Sequence, residues 1–177
     1  MMMDEMRIAD MKDNGNELLP IVDESGVVVD KATRSVCHGG SMLLHPVVHL
    51  HLFNGAGRLF LQHRPAWKDI QPDRWDTAVG GHVDWGETVE QALRREVREE
   101  IGLADFVPVF VSRYVFASKR ERELVHVYKA VSDTPPRPSA ELDGGRFFTM
   151  EEIQEKLGAG FFTPNFEQEW LRFFSHR

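Results

Sequence analysis

The sequence predicts a mixed α/β layered fold, in which strands surround one early helix and two further helices close the chain. Strands are indicated by β-rich runs between turn residues, and the early helix by an apolar stripe at helical spacing within residues 88–102. The 177 residues, 42% hydrophobic and 28% charged, are typical of one globular domain. We expect residues 1–16 to form a disordered, polar tail and residues 17–177 to form the domain, beginning with a β-hairpin.

The predicted strands come mainly as hairpins. One hairpin turns at Asp23–Gly26, and a second turns at Asn54–Gly57. In the second hairpin, alternation places Val48, Leu50 and Leu52 on one face. The opposite face carries His45, Val47, His49, His51 and Phe53. The predicted strands lie within residues 18–34, 45–64, 75–81, 107–118 and 123–131.

Three helices are predicted, and each begins near a capping signal. Thr88 is the expected N-cap of the first, Gln91 completes a capping box, and Gly102 ends the helix. Residues 147–157 predict a short helix, and a last helix begins at Thr163 and runs to the C-terminus. The apolar stripe of the first helix consists of Val89, Ala92, Leu93, Val97 and Ile101.

Composition and charge limit the classes of partner. A net charge of −7 argues against a nucleic-acid polymer, whereas a small phosphorylated substrate remains compatible if a divalent cation supplies the positive charge. No run approaches the roughly 18 apolar residues of a membrane span. The single cysteine, Cys37, and the absence of a signal-peptide pattern predict a cytoplasmic protein. The oligomeric state is not predicted.

Three glutamates, Glu96, Glu99 and Glu100, crowd the flank of the apolar stripe within an arc of roughly 100°. Like charges spaced by three or four residues destabilise a helix by roughly 0.2–0.5 kcal/mol per pair. A divalent cation such as Mg²⁺, which favours oxygen ligands, would convert this repulsion into coordination. The Gly80 carbonyl offers a further oxygen, and Arg95 is placed to orient a glutamate. The alternative interpretation is a solvated acidic face.

The spacing of these residues resembles a known motif. Residues that match its fixed positions are Gly81, Glu87, Arg95, Glu96, Val97, Glu99, Glu100, Gly102 and Leu103. This pattern is the Nudix box, GX5EX7REUXEEXGU, and the chain is similar to the family that carries it. Members of that family are α/β/α sandwiches with a mixed β-sheet, and most hydrolyse a diphosphate linked to another moiety, using Mg²⁺ or Mn²⁺.

The resemblance implies a role for each residue of the box. Glu96, Glu99 and Glu100 would be metal ligands, with the Gly80 carbonyl as an additional ligand. One of these glutamates, or a glutamate later in the chain, would orient or deprotonate the attacking water. Glu87 and Arg95 would support the ligands.

The stretch from Leu18 through the box also resembles type I isopentenyl diphosphate isomerases and their hydrolase-like relatives. That resemblance implies that Arg64 and Lys68 bind a substrate diphosphate. A solvated surface charge is the alternative for both residues. The isomerases have a cysteine where this chain has Gly80, and a shielding tryptophan where it has Asn165. Both departures remove groups that proton transfer at an alkene would require, so the sequence argues against isomerase activity.

A second cluster of ligand-type residues is predicted outside the box. His38 precedes a predicted strand, His45 begins it, and His82 follows the glycine pair. Glu121 and Glu123 are two residues apart, so both side chains point to the same face of a strand. Such residues suit Mn²⁺, Zn²⁺ or Fe²⁺, and the isomerases bind a divalent metal through three histidines and two glutamates at matching spacing. Unrelated histidines near a solvated charge run are the alternative.

Three functions follow from these observations. The first is a hydrolase that cleaves a phosphoanhydride bond in a small diphosphate-containing substrate, nucleoside diphosphate-linked or similar. The second is an isopentenyl diphosphate isomerase-like activity, and the third is a non-catalytic nucleotide-binding domain. Because domains of the third kind usually lose box glutamates and this chain retains them, the sequence favours hydrolysis.

Overall fold

The computed structural model describes residues 14–68 and 70–175, so most of the expected tail lies outside the described residues. Nine strands are present in this part of the chain. They are β1 (Leu18–Val22), β2 (Val28–Thr33), β3 (Leu44–Phe53), β4 (Leu59–His63), β5 (Trp75–Thr77), β6 (Val79–His82), β7 (Val109–Ala117), β8 (Arg122–Val131) and β9 (Gly145–Phe148). The helices are α1 (Arg34–Cys37), α2 (Val89–Ile101), α3 (Met150–Lys156) and α4 (Pro164–Glu169), and α4 continues into a π-helical turn (Trp170–Phe174).

Strand β3 organises the larger, seven-stranded sheet. It pairs in parallel with β8 along its whole length, while its other edge divides between two antiparallel partners. The Val47–Leu50 segment pairs with β6, and Leu52 and Phe53 pair with β4. Because β4 and β6 share one edge of β3, the sheet splits at His51, between these two partners. His49 lies opposite Gly80 within the pairing of β3 with β6.

The glutamate helix, α2, has the predicted ends. Thr88 and Gln91 form the capping box, and Gly102 ends the helix in the left-handed conformation with φ of 64°. The stripe packs on the β3 face that carries Val48 and Leu50, where both side chains are fully buried. Burial of such side chains contributes about 1.5–3 kcal/mol each, so the core fixes which flank of the helix meets β6.

A second core, rich in aromatic residues, packs the C-terminal helices against strand β4. Phe148, Phe162, Phe166, Trp170 and Phe174 are buried together with Leu59 and Leu61 of β4. Thr163 caps α4, and Pro164 occupies its first turn, as predicted. This packing brings Glu169, at the end of α4, against β3.

Several boundaries differ from the sequence prediction. Residues 147–148 are not helical, because β9 pairs with β4 there and α3 begins only after Thr149. The four-residue helix α1 was not predicted. The strand expected at 75–81 is divided into β5 and β6, which pair with different neighbours. Among the described helices, none is long and apolar enough to cross a membrane.

Candidate active site

The C-terminal end of the glutamate helix faces the Gly80–Gly81 strand. Glu100 is 8% exposed, and its Oε2 accepts a hydrogen bond from the Gly80 amide at 3.2 Å. The Glu96 side chain is mostly buried, whereas about half of the Glu99 side chain is exposed. The helix therefore presents one buried, one mostly buried and one solvent-facing carboxylate, so it is not a solvated acidic face.

Gly81 makes the approach of the helix possible. A Cβ at this position would lie 2.6 Å from Glu96 Oε1, closer than unbonded atoms approach without displacement. Any side chain at residue 81 would therefore push the Glu96 carboxylate away from β6. The close approach of Glu96 explains why the motif has a glycine at this position, which the sequence alone did not explain.

Arg95 is the counter-charge of the cluster. Its Nε and Nη2 donate to the two carboxylate oxygens of Glu87 at 2.8 and 2.9 Å, a bidentate pair. Its Nη1 donates to Glu96 Oε1 at 2.8 Å and to Glu99 Oε2 at 3.3 Å. Nη2 also donates to the His82 carbonyl at 3.1 Å, which ties the helix to β6. The predicted orienting role of Arg95 thus has a geometric basis.

The single positive charge of Arg95 does not neutralise the negative charges of the glutamate cluster. Burial raises the pKa of Glu96 to about 7, although Arg95 acts in the opposite direction. Burial and the charge of Glu96 raise the pKa of Glu100 well above its usual range. Buried carboxylates that repel each other, next to backbone oxygens, fit a hard divalent cation such as Mg²⁺ or Mn²⁺.

The five residues of the second predicted cluster also come together. The ring centroids of His38, His45 and His82 are 5.0–5.5 Å apart, and ligand atoms of all three lie within 4.8 Å of one another. Ligand atoms of His45, Glu121 and Glu123 also lie within 4.8 Å of one another. His38 Nε2 lies 3.1 Å from Glu121 Oε2. Residues separated by up to 85 positions therefore form one nitrogen and oxygen cluster.

The second cluster fits a transition metal by its donor chemistry. His45 Nδ1 donates to the Leu43 carbonyl at 3.2 Å, so Nε2 carries the lone pair. That Nε2 is buried and has no hydrogen-bond partner in the described part of the chain. Burial lowers the pKa of His82 well below its usual value and favours the neutral imidazole that metals bind.

The residues expected to bind a diphosphate, Arg64 and Lys68, lie in the loop between β4 and β5. Arg64 Nε and Nη2 donate to the Ile70 carbonyl at 3.2 and 2.8 Å, and Nε also donates to the Gln71 carbonyl. Its Nη1 lies 3.5 Å from Asp76 Oδ2. The Lys68 ammonium lies 5.0 Å from the centre of the Trp67 ring. In this structure Arg64 therefore supports the loop between β4 and β5.

A buried network that the sequence did not predict joins Glu169 to strands β3 and β7. Glu169 is fully buried, and its carboxylate accepts hydrogen bonds from His49 Nδ1 at 2.5 Å, His51 Nε2 at 2.9 Å and the Tyr114 hydroxyl at 2.7 Å. Burial lowers the pKa of His49, but Glu169 outweighs that effect and raises it to about 9. The inward alternation of His49 and His51 was visible in the sequence, but their partner lies about 120 residues away.

A Nudix domain model matches residues 43–167, which include the glutamate helix and most of the second cluster. The chain belongs to the Nudix family. The solved structure of DR0079 from Deinococcus radiodurans superposes on this chain with a TM-score of 0.74 and 27% sequence identity. The superposition covers 89% of this chain and 99% of DR0079. The expected fold class is confirmed.

Relatives of this Nudix chain include Nudix hydrolases and isopentenyl-diphosphate isomerases. An uncharacterized Nudix hydrolase of Nostoc is 41% identical over 87 residues, about half of each protein. An isopentenyl-diphosphate Delta-isomerase of Nocardia farcinica is 35% identical over 157 residues, covering 85% of this chain and 88% of that protein. The resemblance to both branches is therefore confirmed, and neither relative fixes the substrate.

Proposed function

We propose that this Nudix protein is a metal-dependent pyrophosphohydrolase that cleaves a phosphoanhydride bond in a small diphosphate-containing molecule. The observation that carries the proposal is the convergence of Glu96 and Glu100 on the Gly80–Gly81 strand, with Arg95 as their counter-charge. Two largely buried carboxylates one helical turn apart are costly to ionise unless a cation completes the site.

The residues of the cluster have distinct roles in this proposal. Glu96, Glu99 and Glu100 hold Mg²⁺ or Mn²⁺, and the Gly80 carbonyl is a further ligand. When bound, the cation withdraws charge from the phosphate and lowers the pKa of a coordinated water. A carboxylate of the site accepts the proton of the attacking water. Arg95 fixes the carboxylate orientations, because its fork engages several oxygens at once.

Glu87 supports Arg95 through the bidentate pair, and its Oε1 also accepts a hydrogen bond from the Asp84 amide at 2.8 Å. In this proposal the substrate diphosphate is bound by Arg64 and Lys68, which lie in the loop between β4 and β5. Binding by Arg64 requires its guanidinium to exchange a loop carbonyl for a phosphate oxygen, because three of its contacts now go to that loop.

The second cluster is proposed to hold one tightly bound Mn²⁺, Zn²⁺ or Fe²⁺. Its ligands are His38, His45, His82, Glu121 and Glu123. The buried, unpaired Nε2 of His45 supports this proposal, because leaving a buried polar atom without a partner costs about 1–3 kcal/mol.

The second candidate function is isomerisation of isopentenyl diphosphate, which the isomerase relatives favour. Besides Asn165, which stands where the isomerases have a tryptophan, the candidate site differs from the isomerase pattern at Gly80. Gly80 provides no thiol, and Cys37 is fully buried with Leu19 and Ile21 in a small core of the N-terminal hairpin. Hydrolysis needs no side-chain nucleophile, and this site therefore favours hydrolysis.

One experiment separates these functions. The protein is incubated with Mg²⁺ and a panel of nucleoside diphosphate-linked compounds, dinucleotides and prenyl diphosphates, and phosphate-containing products are measured. Deuterium incorporation into isopentenyl diphosphate is measured in parallel. We expect hydrolysis of at least one compound and no deuterium exchange. Exchange without hydrolysis would establish the isomerase, and neither activity with retained metal binding would establish a binding domain.

A further inference from the structure

Asp76 is the charged residue of β5, and its two carboxylate oxygens contact different parts of the molecule. Oδ1 accepts hydrogen bonds from the Thr77 amide and from the Thr163 hydroxyl, both at 2.8 Å. Oδ2 lies 3.5 Å from Arg64 Nη1. Because Thr163 is the N-cap of α4, Asp76 joins the start of the C-terminal helix to the arginine that begins the β4–β5 loop.

The Arg64 guanidinium is held on two sides. Nε and Nη2 donate to the loop carbonyls of Ile70 and Gln71, whereas Nη1 faces Asp76. The Arg64 and Asp76 side chains are each only 21% exposed, so neither charge is fully hydrated. When a phosphate oxygen replaces a loop carbonyl, the contact with Asp76 is the one that keeps the guanidinium in place.

Asp76 also lies within electrostatic range of both candidate metal clusters. Burial is the main cause of the raised pKa values of Glu100 and Glu123, and the negative charge of Asp76 contributes to both. A further carboxylate at this place repels the neighbouring glutamates and an incoming diphosphate. Its pairing with Arg64 offsets that repulsion and restricts the direction of the guanidinium.

We propose that Asp76 is a positioning residue for substrate binding, which acts through Arg64 and holds its guanidinium in the orientation that binds the diphosphate. Asp76 itself does not touch the substrate. This inference rests on the proposed function, because the diphosphate is the ligand of Arg64 in that proposal.

The amide variant Asp76→Asn removes the contact with Arg64 and keeps the contacts that support the fold. Its oxygen still accepts from the Thr77 amide and the Thr163 hydroxyl, whereas its NH₂ group faces Arg64, so that a donor meets a donor. The matched control is Thr163→Val. It removes the hydroxyl that bonds Asp76 and caps α4, and it leaves the contact between Asp76 and Arg64.

The probe is methylenediphosphonate, which is not hydrolysed, and its binding at saturating Mg²⁺ is measured by calorimetry. The unfolding temperature of each protein is measured in parallel. We expect Arg64→Gln to bind about tenfold to a hundredfold more weakly than wild type, as for loss of a charge-assisted hydrogen bond. We expect Asp76→Asn to bind about fivefold more weakly or worse, which is the size of coupling between residues in contact.

The same change is then made in the Arg64→Gln background, which completes a double-mutant cycle. We expect Asp76→Asn to leave affinity within about twofold there, or to strengthen it, because only a repelling charge is removed. Thr163→Val should lower the unfolding temperature and keep affinity within about twofold of wild type.

The outcomes separate this inference from the proposed function. Equal or tighter binding by Asp76→Asn would overturn the role of Asp76, since its charge would then only repel the ligand. Equal weakening in both backgrounds would overturn that role as well, because Asp76 would act through a bound metal or the fold. A comparable loss in Thr163→Val would assign the effect to the docking of α4 and overturn it too. All three results leave the proposed function standing, whereas failure of the wild-type protein to bind the probe would overturn both.

Discussion

Replacement of Arg95 by Gln tests whether the glutamate helix depends on this one counter-charge. Arg95 makes three contacts of 2.8–2.9 Å to Glu87 and Glu96, and its side chain is 21% exposed. Exposed ion pairs contribute about 0.2–1 kcal/mol, whereas breaking a buried pair costs about 3–5 kcal/mol. Because this network is only partly solvated, we expect the free energy of unfolding to fall by about 2–4 kcal/mol in EDTA.

The neighbouring residue Arg94 provides a matched control on the same helix. It pairs with Glu90 at 3.3 Å, and the two side chains are 45% and 64% exposed. Arg94 also lies 5.3 Å from the centre of the Phe106 ring, a cation–π contact of about 0.5–1 kcal/mol at an exposed site. We expect Arg94→Gln to cost no more than about 1 kcal/mol.

Urea unfolding followed by tryptophan fluorescence measures both variants, and the four tryptophans of the chain supply the signal. Adding Mg²⁺ should reduce the deficit of Arg95→Gln, because a bound cation offsets the same carboxylate repulsion. Equal effects of Arg95→Gln and Arg94→Gln in EDTA would refute the reasoning, since the Arg95 network would then contribute no more than a surface pair.

Three further predictions address other parts of the account. Gly81→Ala should displace the neighbouring carboxylate and reduce hydrolysis more than tenfold at unchanged fold, whereas Gly15→Ala, whose Cβ would meet an ordinary 3.5 Å contact, should have no effect. Burial and the charge of a nearby arginine lower the pKa of His126 to about 4, so the unfolded chain binds its proton first. Stability should therefore fall by up to about 3 kcal/mol between about pH 6.5 and pH 4, and His126→Gln should remove that part of the loss in urea titrations at each pH. Elemental analysis of protein dialysed without chelator should find about one transition metal per chain, and a content unchanged in the His38→Ala, His82→Ala double variant would remove those residues from the site.

The local parts of the fold could be predicted because their determinants are local. The ends of the glutamate helix depend on Thr88 and Gly102, and its buried flank follows from the spacing of apolar residues. Strand β9 was not predicted, because it forms through a tertiary contact with β4. Gly145 lets β9 lie against β4, since a Cβ there would fall 2.9 Å from the Leu61 carbonyl oxygen, and no short-range signal encodes that contact.

The same distinction applies to the site. The box residues were predicted from one continuous motif. The second cluster was predicted from three histidines and two glutamates whose spacing matches the metal ligands of the isomerases. The partnership of His49 with Glu169 could not be predicted, because it depends on how α4 packs across β3. Likewise, the sequence showed that Arg64 is basic, but only the packing of the loop shows that its guanidinium binds backbone carbonyls.

The central claim is that the glutamate helix holds the catalytic metal, and Glu100→Gln tests it most directly. The change keeps size and helix propensity and removes one charged, buried ligand beside Gly80. Turnover of the best substrate from the panel is measured at saturating Mg²⁺ for wild type and variant, with circular dichroism to verify folding. We predict a loss of about two to four orders of magnitude, because one ligand contributes several kcal/mol to transition-state stabilisation. Normal turnover by a folded Glu100→Gln protein would contradict the assignment.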